Sequence, residues 1–153
     1  MLLQTPKKFT LVAATAEGRT RLNAFDNALL ASGIGNLNLL KVSSILPPAA
    51  EFVEKLSIPP GSLTPTAYGS ISSDVPGEVI SAAVGIGFSK NDFGVIMEFS
   101  GKCDKAEAER QIRAMVEEAF EVRGIPLVEV MVKATDCTVK TCACAFAAVA
   151  LWY

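Results

Sequence analysis

Residues 35 to 48, GNLNLLKVSSILPP, constrain the fold of this chain more than any other stretch. The apolar run from Leu37 to Leu46 has the length and β-branched content of a buried strand. The Pro47-Pro48 pair ends it, because proline cannot donate to a sheet ladder. Just before that stop stand two adjacent hydroxyls, Ser43 and Ser44. Periodicity alone makes them ordinary strand-end residues, one facing each way, with hydroxyls satisfied by backbone carbonyls. The alternative is that one of them is a site of chemistry.

The 153 residues suit one domain, 1–153, long enough to bury its own core. Half are apolar, 20% are charged and the mean hydropathy is positive. That composition excludes disorder and implies extensive buried surface, subunit contacts included. A net charge of −2, with both signs mixed along the chain, leaves no electrostatic footprint for nucleic acid or an anionic membrane, so neither is expected as a partner. Two leucines at the start are too few for an export signal, and the longest apolar run, Cys142 to Tyr153, is well short of the roughly 20 residues a spanning helix needs. A soluble, cytoplasmic protein is expected, with Cys103, Cys137, Cys142 and Cys144 as reduced thiols.

The chain has no histidine. Its absence removes Ser-His and Cys-His nucleophile arrangements, most mononuclear zinc designs and the usual general base at neutral pH. Catalysis has to use carboxylates, lysines, hydroxyls, thiols or something made from them. Cys137, Cys142 and Cys144 would need Cys103 or a carboxylate as a fourth zinc ligand, and on a strand Cys142 and Cys144 behave as small apolar residues on one face, so no metal is expected. Gly33-x-Gly35 follows a helix and lacks a third glycine, which makes it a turn and not a dinucleotide loop.

Taken in order, residues 9–16 read as a strand and 24–32 as a helix capped by Asn23 and stopped by Gly33, with Phe25, Leu29, Leu30 and Ile34 on its apolar face. Asp26 then falls in the first turn, where the helix N-terminus stabilises a carboxylate. The prolines and glycine from Pro47 to Gly61 mark a long surface loop or a rim around a site. Residues 63–73 look extended, 74–77 turn, and 78–88 form a strand or a short helix, with Gly85 and Gly87 favouring strand. Phe93 to Phe99 is a buried-strand pattern interrupted by Glu98, either an outward-facing carboxylate or a desolvated acid poised to donate a proton. Lys105 to Val122 is an amphipathic helix ended by Gly124 and Pro126, and strands follow at 127–135 and 142–152, the last alanine-rich enough to leave helix open. Strands with two well-separated helices point to an α+β fold.

GIGNLNLLKVSSILPP, LTPTAYG, SSDVPGEVISAA, GVIMEFSGKC and CAFAAVALW, in that order and spacing, resemble the pyruvoyl-dependent arginine decarboxylases from about Phe9 to Tyr153. The resemblance implies a four-layer αββα sandwich. It also implies a proenzyme that cuts its own backbone between Ser43 and Ser44 into a β chain 1–43 and an α chain 44–153. The Ser44 hydroxyl would attack the Ser43 carbonyl to give an ester, and β-elimination and hydrolysis would leave a pyruvoyl group, with no metal and no PLP. That ketone would take up the α-amino group of L-arginine and accept the electrons released as CO2 leaves, giving agmatine. By the same resemblance Asn38 donates to the developing oxyanion during cleavage, Glu98 protonates the carbanion, and Asp26 holds the guanidinium. The implied assembly is a homotrimer of cleaved protomers, with a dimer of trimers as a larger form, and sites at subunit interfaces. Two rivals stay open: the same chemistry on histidine or aspartate, and an uncleaved, non-catalytic homologue.

Overall fold

The structure, a computed structural model, describes residues 3–153, and the elements below are those among the described residues. β1 (Lys8–Glu17) leads into α1 (Arg21–Ser32), and three short strands follow: β2 (Asn38–Lys41), β3 (Ile45–Leu46) and β4 (Glu51–Phe52). Three long strands come next, β5 (Leu63–Ser73), β6 (Val79–Phe88) and β7 (Gly94–Gly101). The chain closes with α2 (Lys105–Arg123), β8 (Glu129–Thr138) and β9 (Ala143–Trp152). The strands form a five-stranded sheet, β2-β5-β9-β1-β4, and a four-stranded sheet, β3-β7-β6-β8. This is the α+β class read from the sequence.

Alternation along the long strands divides the core into layers. Ile80, Val84, Ile86 and Ile96 of the four-stranded sheet share a cluster with Ala67, Ala145, Ala147 and Val149 of the five-stranded sheet. The other face of the five-stranded sheet, through Cys144, Phe146 and Ala148, receives Ala24, Ala28 and Leu29 of α1. α2 lays Ile112, Val116 and Phe120 on the other face of the four-stranded sheet. This packing is compatible with αββα layering. β9 lies between β5 and β1 and is buried on both faces, so the alanines that left helix open become the small residues that both neighbouring layers pack against.

Three readings need correction. α1 is capped by Thr20, whose hydroxyl accepts the Asn23 N–H at 3.1 Å, so the helix begins at Arg21 and Asp26 lies beyond the first turn. Stabilisation by the helix N-terminus therefore does not account for Asp26. Leu30, placed on the apolar face from sequence, is 49% exposed, while Leu29 and Ile34 are buried. The run from Leu37 to Leu46 is also not one buried strand. It divides into β2 and β3, which belong to different sheets, and most of its residues are exposed or half-buried. The proline-rich region after it is a loop, as expected, except for β4, which pairs in parallel with the start of β1.

The Glu17 carboxylate closes the turn between β8 and β9 by accepting N–H bonds from Lys140 (3.3 Å), Thr141 (2.8 Å) and Cys142 (3.3 Å). These bonds, that from Thr141 above all, hold its pKa below the ordinary carboxylate value. A depressed folded-state pKa contributes stability that is full above the ordinary value and is lost as pH falls through the folded one. Glu17→Gln should therefore unfold at lower urea than wild type at neutral pH, with the gap closing in acid. A gap that is absent at neutral pH, or constant across pH, would deny Glu17 this role.

Candidate active site

The serine pair occupies the segment in which the chain passes from one sheet to the other. On one side the Val42 N–H donates to the Thr66 carbonyl of β5 at 3.1 Å, and on the other the Ile96 N–H of β7 donates to the Ser44 carbonyl at 2.6 Å. Between these anchors, neither the Ser43 carbonyl nor the Ser44 N–H takes part in a hydrogen bond among the described residues. Ser43 is exposed and Ser44 half-buried. The backbone here is not in the left-handed region, which among non-glycine described residues is occupied by Ala49 and Asn91. What marks the Ser43–Ser44 peptide among the described residues is its missing partners.

β3 pairs with β7 through Ile45↔Val95 and Leu46↔Gly94, and the bond from Ile96 extends that ladder to Ser44. Glu98 follows Ile96 by two residues on β7 and so shares its face, the one turned toward the other sheet. Ser44 and Glu98 are thereby diagonal neighbours, a spacing of about 7–8 Å in a regular ladder. Glu98 is half-buried, and that desolvation raises its pKa above the ordinary value, with the Lys41 charge opposing. Of the two readings, Glu98 is the desolvated carboxyl and not the outward-facing one. Opposite it stands Gly69 of β5, where a Cβ would lie 3.4 Å from Glu98 Cβ and 3.3 Å from the Phe99 carbonyl oxygen. Glycine leaves the acid its room between the sheets.

Two residues at this edge were not singled out from sequence. Lys41, the last residue of β2, places Nζ 4.7 Å from the centroid of the Tyr68 ring. Tyr68 in turn packs on Phe146 and Phe25, with centroids 5.6 and 6.3 Å away. The only signal for this contact was the aromatic beside glycine in LTPTAYG, which says nothing about a lysine from another strand.

The other sequence candidates stand apart. Asn38 begins β2, at the opposite end from Lys41, and its side-chain amide donates to the Gly61 carbonyl at 3.0 Å. Asp26 is exposed on α1, and no hydrogen bond or ion pair among the described residues ties it to Ser44 or Glu98. A cavity of about 590 Å³ runs along β1 beneath residues 54–60 and beside Lys133, and neither the serines, Glu98 nor Asp26 lines it. Within the single chain the candidate chemistry lies on an open sheet edge.

Comparison with known proteins bears on that edge. A family model described as pyruvoyl-dependent arginine decarboxylase matches residues 8–153. A protein of that name from Methanocaldococcus jannaschii is 53% identical over 150 residues, covering 97% of this chain and 91% of the relative. Those from Pyrococcus abyssi and Methanococcus aeolicus are 54% and 48% identical, covering 89% and 98% of this chain and 88% and 92% of the relatives. With the acid and the serine pair on one edge, these matches put the chain among the pyruvoyl-dependent enzymes. More narrowly, it belongs to the pyruvoyl-dependent arginine decarboxylase family.

The raised pKa of Glu98 has a consequence for stability that carries the opposite sign to Glu17. A carboxyl with a raised folded-state pKa loses stability as pH rises, because the unfolded chain ionises first. Glu98→Gln, a neutral isostere, should match wild type in acid and exceed it at neutral pH in urea unfolding. A variant that is weaker than wild type at neutral pH would mean the carboxylate is held by stabilising partners.

Proposed function

We propose that this protein cuts its own backbone between Ser43 and Ser44 and, with the pyruvoyl group so formed, decarboxylates L-arginine to agmatine and CO2. The observation that carries this reading is the unpaired Ser43–Ser44 peptide, held by anchors on two different sheets, with Glu98 on the neighbouring diagonal. With its carbonyl free of donors, Ser43 offers an open electrophile. The half-buried Ser44 hydroxyl is the adjoining nucleophile. The site fits the group, because the group is made from Ser44 itself and needs no further cradle. Once formed, it supplies an electron sink at the substrate's α-carbon.

The remaining work falls to the chain's own side chains. Glu98, kept protonated to higher pH by burial, holds the proton that is delivered to the α-carbon after CO2 leaves. Asp26 offers the guanidinium a bidentate carboxylate, a match that favours arginine over lysine and repels an acidic side chain such as that of aspartate. The lack of any hydrogen bond or ion pair linking it to Ser44 among the described residues supports a site shared between protomers, as do the exposed apolar side chains beside the crossover, Leu40 (48%) and Ile45 (43%). A homotrimer of cut protomers would cover that edge and bring Asp26 of one copy toward Ser44 of the next. Asn38 keeps one amide N–H after its bond to Gly61, and a role at the Ser43 carbonyl would require it to reach across the same interface.

Intact-mass measurement of the purified protein tests the cleavage: two fragments, 1–43 and 44–153, are expected from wild type and one full-length species from Ser44→Ala. A wild type that stays whole after prolonged incubation overturns the enzyme reading and favours an uncleaved homologue. Asp26→Asn and Glu98→Gln should both cut to completion and part ways afterwards. The first is expected to raise KM for arginine by about one to two orders of magnitude, as loss of a charge-assisted hydrogen bond does. The second is expected to lower kcat by about 100-fold or more, the contribution of a general acid. Unchanged kinetics in either variant removes that residue from its role.

A further inference from the structure

We propose that the Lys41 ammonium, held over the Tyr68 ring, receives the carboxylate that Ser43 becomes when the chain is cut, and so speeds the elimination step in which that carboxylate is the leaving group. The inference rests on the proposed self-cleavage, and it gives Lys41 a role that neither the sequence motifs nor the family match assigns.

Lys41 is the last residue of β2 and stands opposite Thr66 of the parallel strand β5. Its side chain does not stay at that level, because Nζ lies 4.7 Å from the ring centroid of Tyr68, further along β5. The ammonium is thus carried forward along the strand, in the direction of Ser43. The Val42 N–H bond to the Thr66 carbonyl holds the backbone in between, and the same register carried onward sets Ser43 beside Tyr68. Alternation agrees: Leu39 and Tyr68 pack beneath α1 while Val42 packs between the sheets, which puts Lys41 and Ser43 together on the α1 side. The Tyr68 ring rests on Phe146 and Phe25, so the cation has a fixed platform.

The four strands that meet at the crossover, β2, β3, β5 and β7, carry one cation, Lys41, and one carboxylate, Glu98. Glu98 shares the face of Ile96, turned to the layer between the sheets and away from Lys41. Lys41 is in no ion pair among the described residues, so its charge is not spent on another carboxylate. Attack of Ser44 Oγ on the Ser43 carbonyl carbon breaks the C–N bond, passes the hydroxyl proton to the freed amine and joins the two residues by an ester. In the elimination the Ser44 α-proton goes to water, the bond from Oγ to Cβ breaks with its electron pair leaving on Ser43 as a carboxylate, and a double bond forms between Cα and Cβ. A lasting negative charge first arises on Ser43 in this step, and a nearby ammonium favours it. The competing explanation is that Lys41 merely guards an edge strand against pairing with other chains. An edge guard would leave every step of the cut at its usual rate.

The test follows full-length chains freshly made by cell-free synthesis as they cut. The ester has the mass of the uncut chain, so acid-quenched samples are exposed to hydroxylamine under mild conditions, which splits an ester and spares an amide. Splitting at the ester frees a 44–153 chain whose Ser44 amine can be sequenced, unlike the blocked pyruvoyl chain. Wild type should reach its two fragments with little ester present. Lys41→Met, which keeps the aliphatic stem, should cut about tenfold more slowly and accumulate hydroxylamine-sensitive chain, as loss of a charge-assisted hydrogen bond implies. Lys41→Arg should keep the wild-type rate. A Lys41→Met chain that cuts as fast as wild type, or that stalls as a hydroxylamine-resistant amide, overturns the assignment and leaves the decarboxylase reading intact. A wild type that never cuts removes both, so the two failures are told apart.

Discussion

The chain changes sheets within three residues, and the candidate chemistry depends on that economy. Lys41 ends a strand of one sheet and Ile45 begins a strand of the other, while facing sheets pack about 10 Å apart. Four residue steps of at most ~3.6 Å span only about 14 Å, so the crossover has no slack for a turn that would pair its own peptides. The Val42 N–H and the Ser44 carbonyl each find a ladder, and the peptide between Ser43 and Ser44 belongs to neither. Elsewhere such a peptide would be a defect. At an edge with Ser43 exposed and Ser44 half-buried, solvent can satisfy it, and its carbonyl stays open to attack by the neighbouring hydroxyl.

The same crossing decides what faces the serines. Because β3 enters the ladder beside β7, the residue two beyond Ile96 stands next to Ser44 and points between the sheets. A carboxyl there pays for desolvation, and β5 accommodates it with a glycine at 69. A larger side chain at that position would press on Glu98 and on the Phe99 carbonyl together. The edge also leaves Leu40 and Ile45 uncovered on either side of the crossover, apolar side chains that an isolated chain has no reason to expose.

Much of the fold was legible because long strands and α2 carry their periods plainly: β1, β5, β6, β7 and β9 fall where alternation and turn residues put them. The stretch from Leu37 to Leu46 was misread for a physical reason. Hydrophobic content reports that residues are strand-like, but not that neighbours four apart join different sheets at an exposed edge. The α1 cap was displaced because Thr20 and Asn23 are both competent caps, and the Thr20 hydroxyl engages both the Asn23 N–H and its Oδ1. For Glu98, alternation placed it on the face of Ile96 without saying which face is buried between the sheets. Lys41 was beyond sequence reasoning altogether, since its partner ring arrives from β5.

In the proposed reaction a ketone made from Ser44 removes the need for histidine, and it leaves the protein with one demanding task, an acid that is protonated when carbon needs the proton and still able to release it. Burial alone would favour the protonated form without limit, and an exposed carboxylate would be ionised well below neutral pH. Glu98 is half-buried, and desolvation raises its pKa while the charge of Lys41 opposes that rise. Glu98 is carried by β7, and the Ile96 N–H bond to the Ser44 carbonyl and the β3 pairing that follows hold Ser44 to the same strand. A cut before Ser44 would therefore free the reactive terminus without moving it off the ladder that carries the acid.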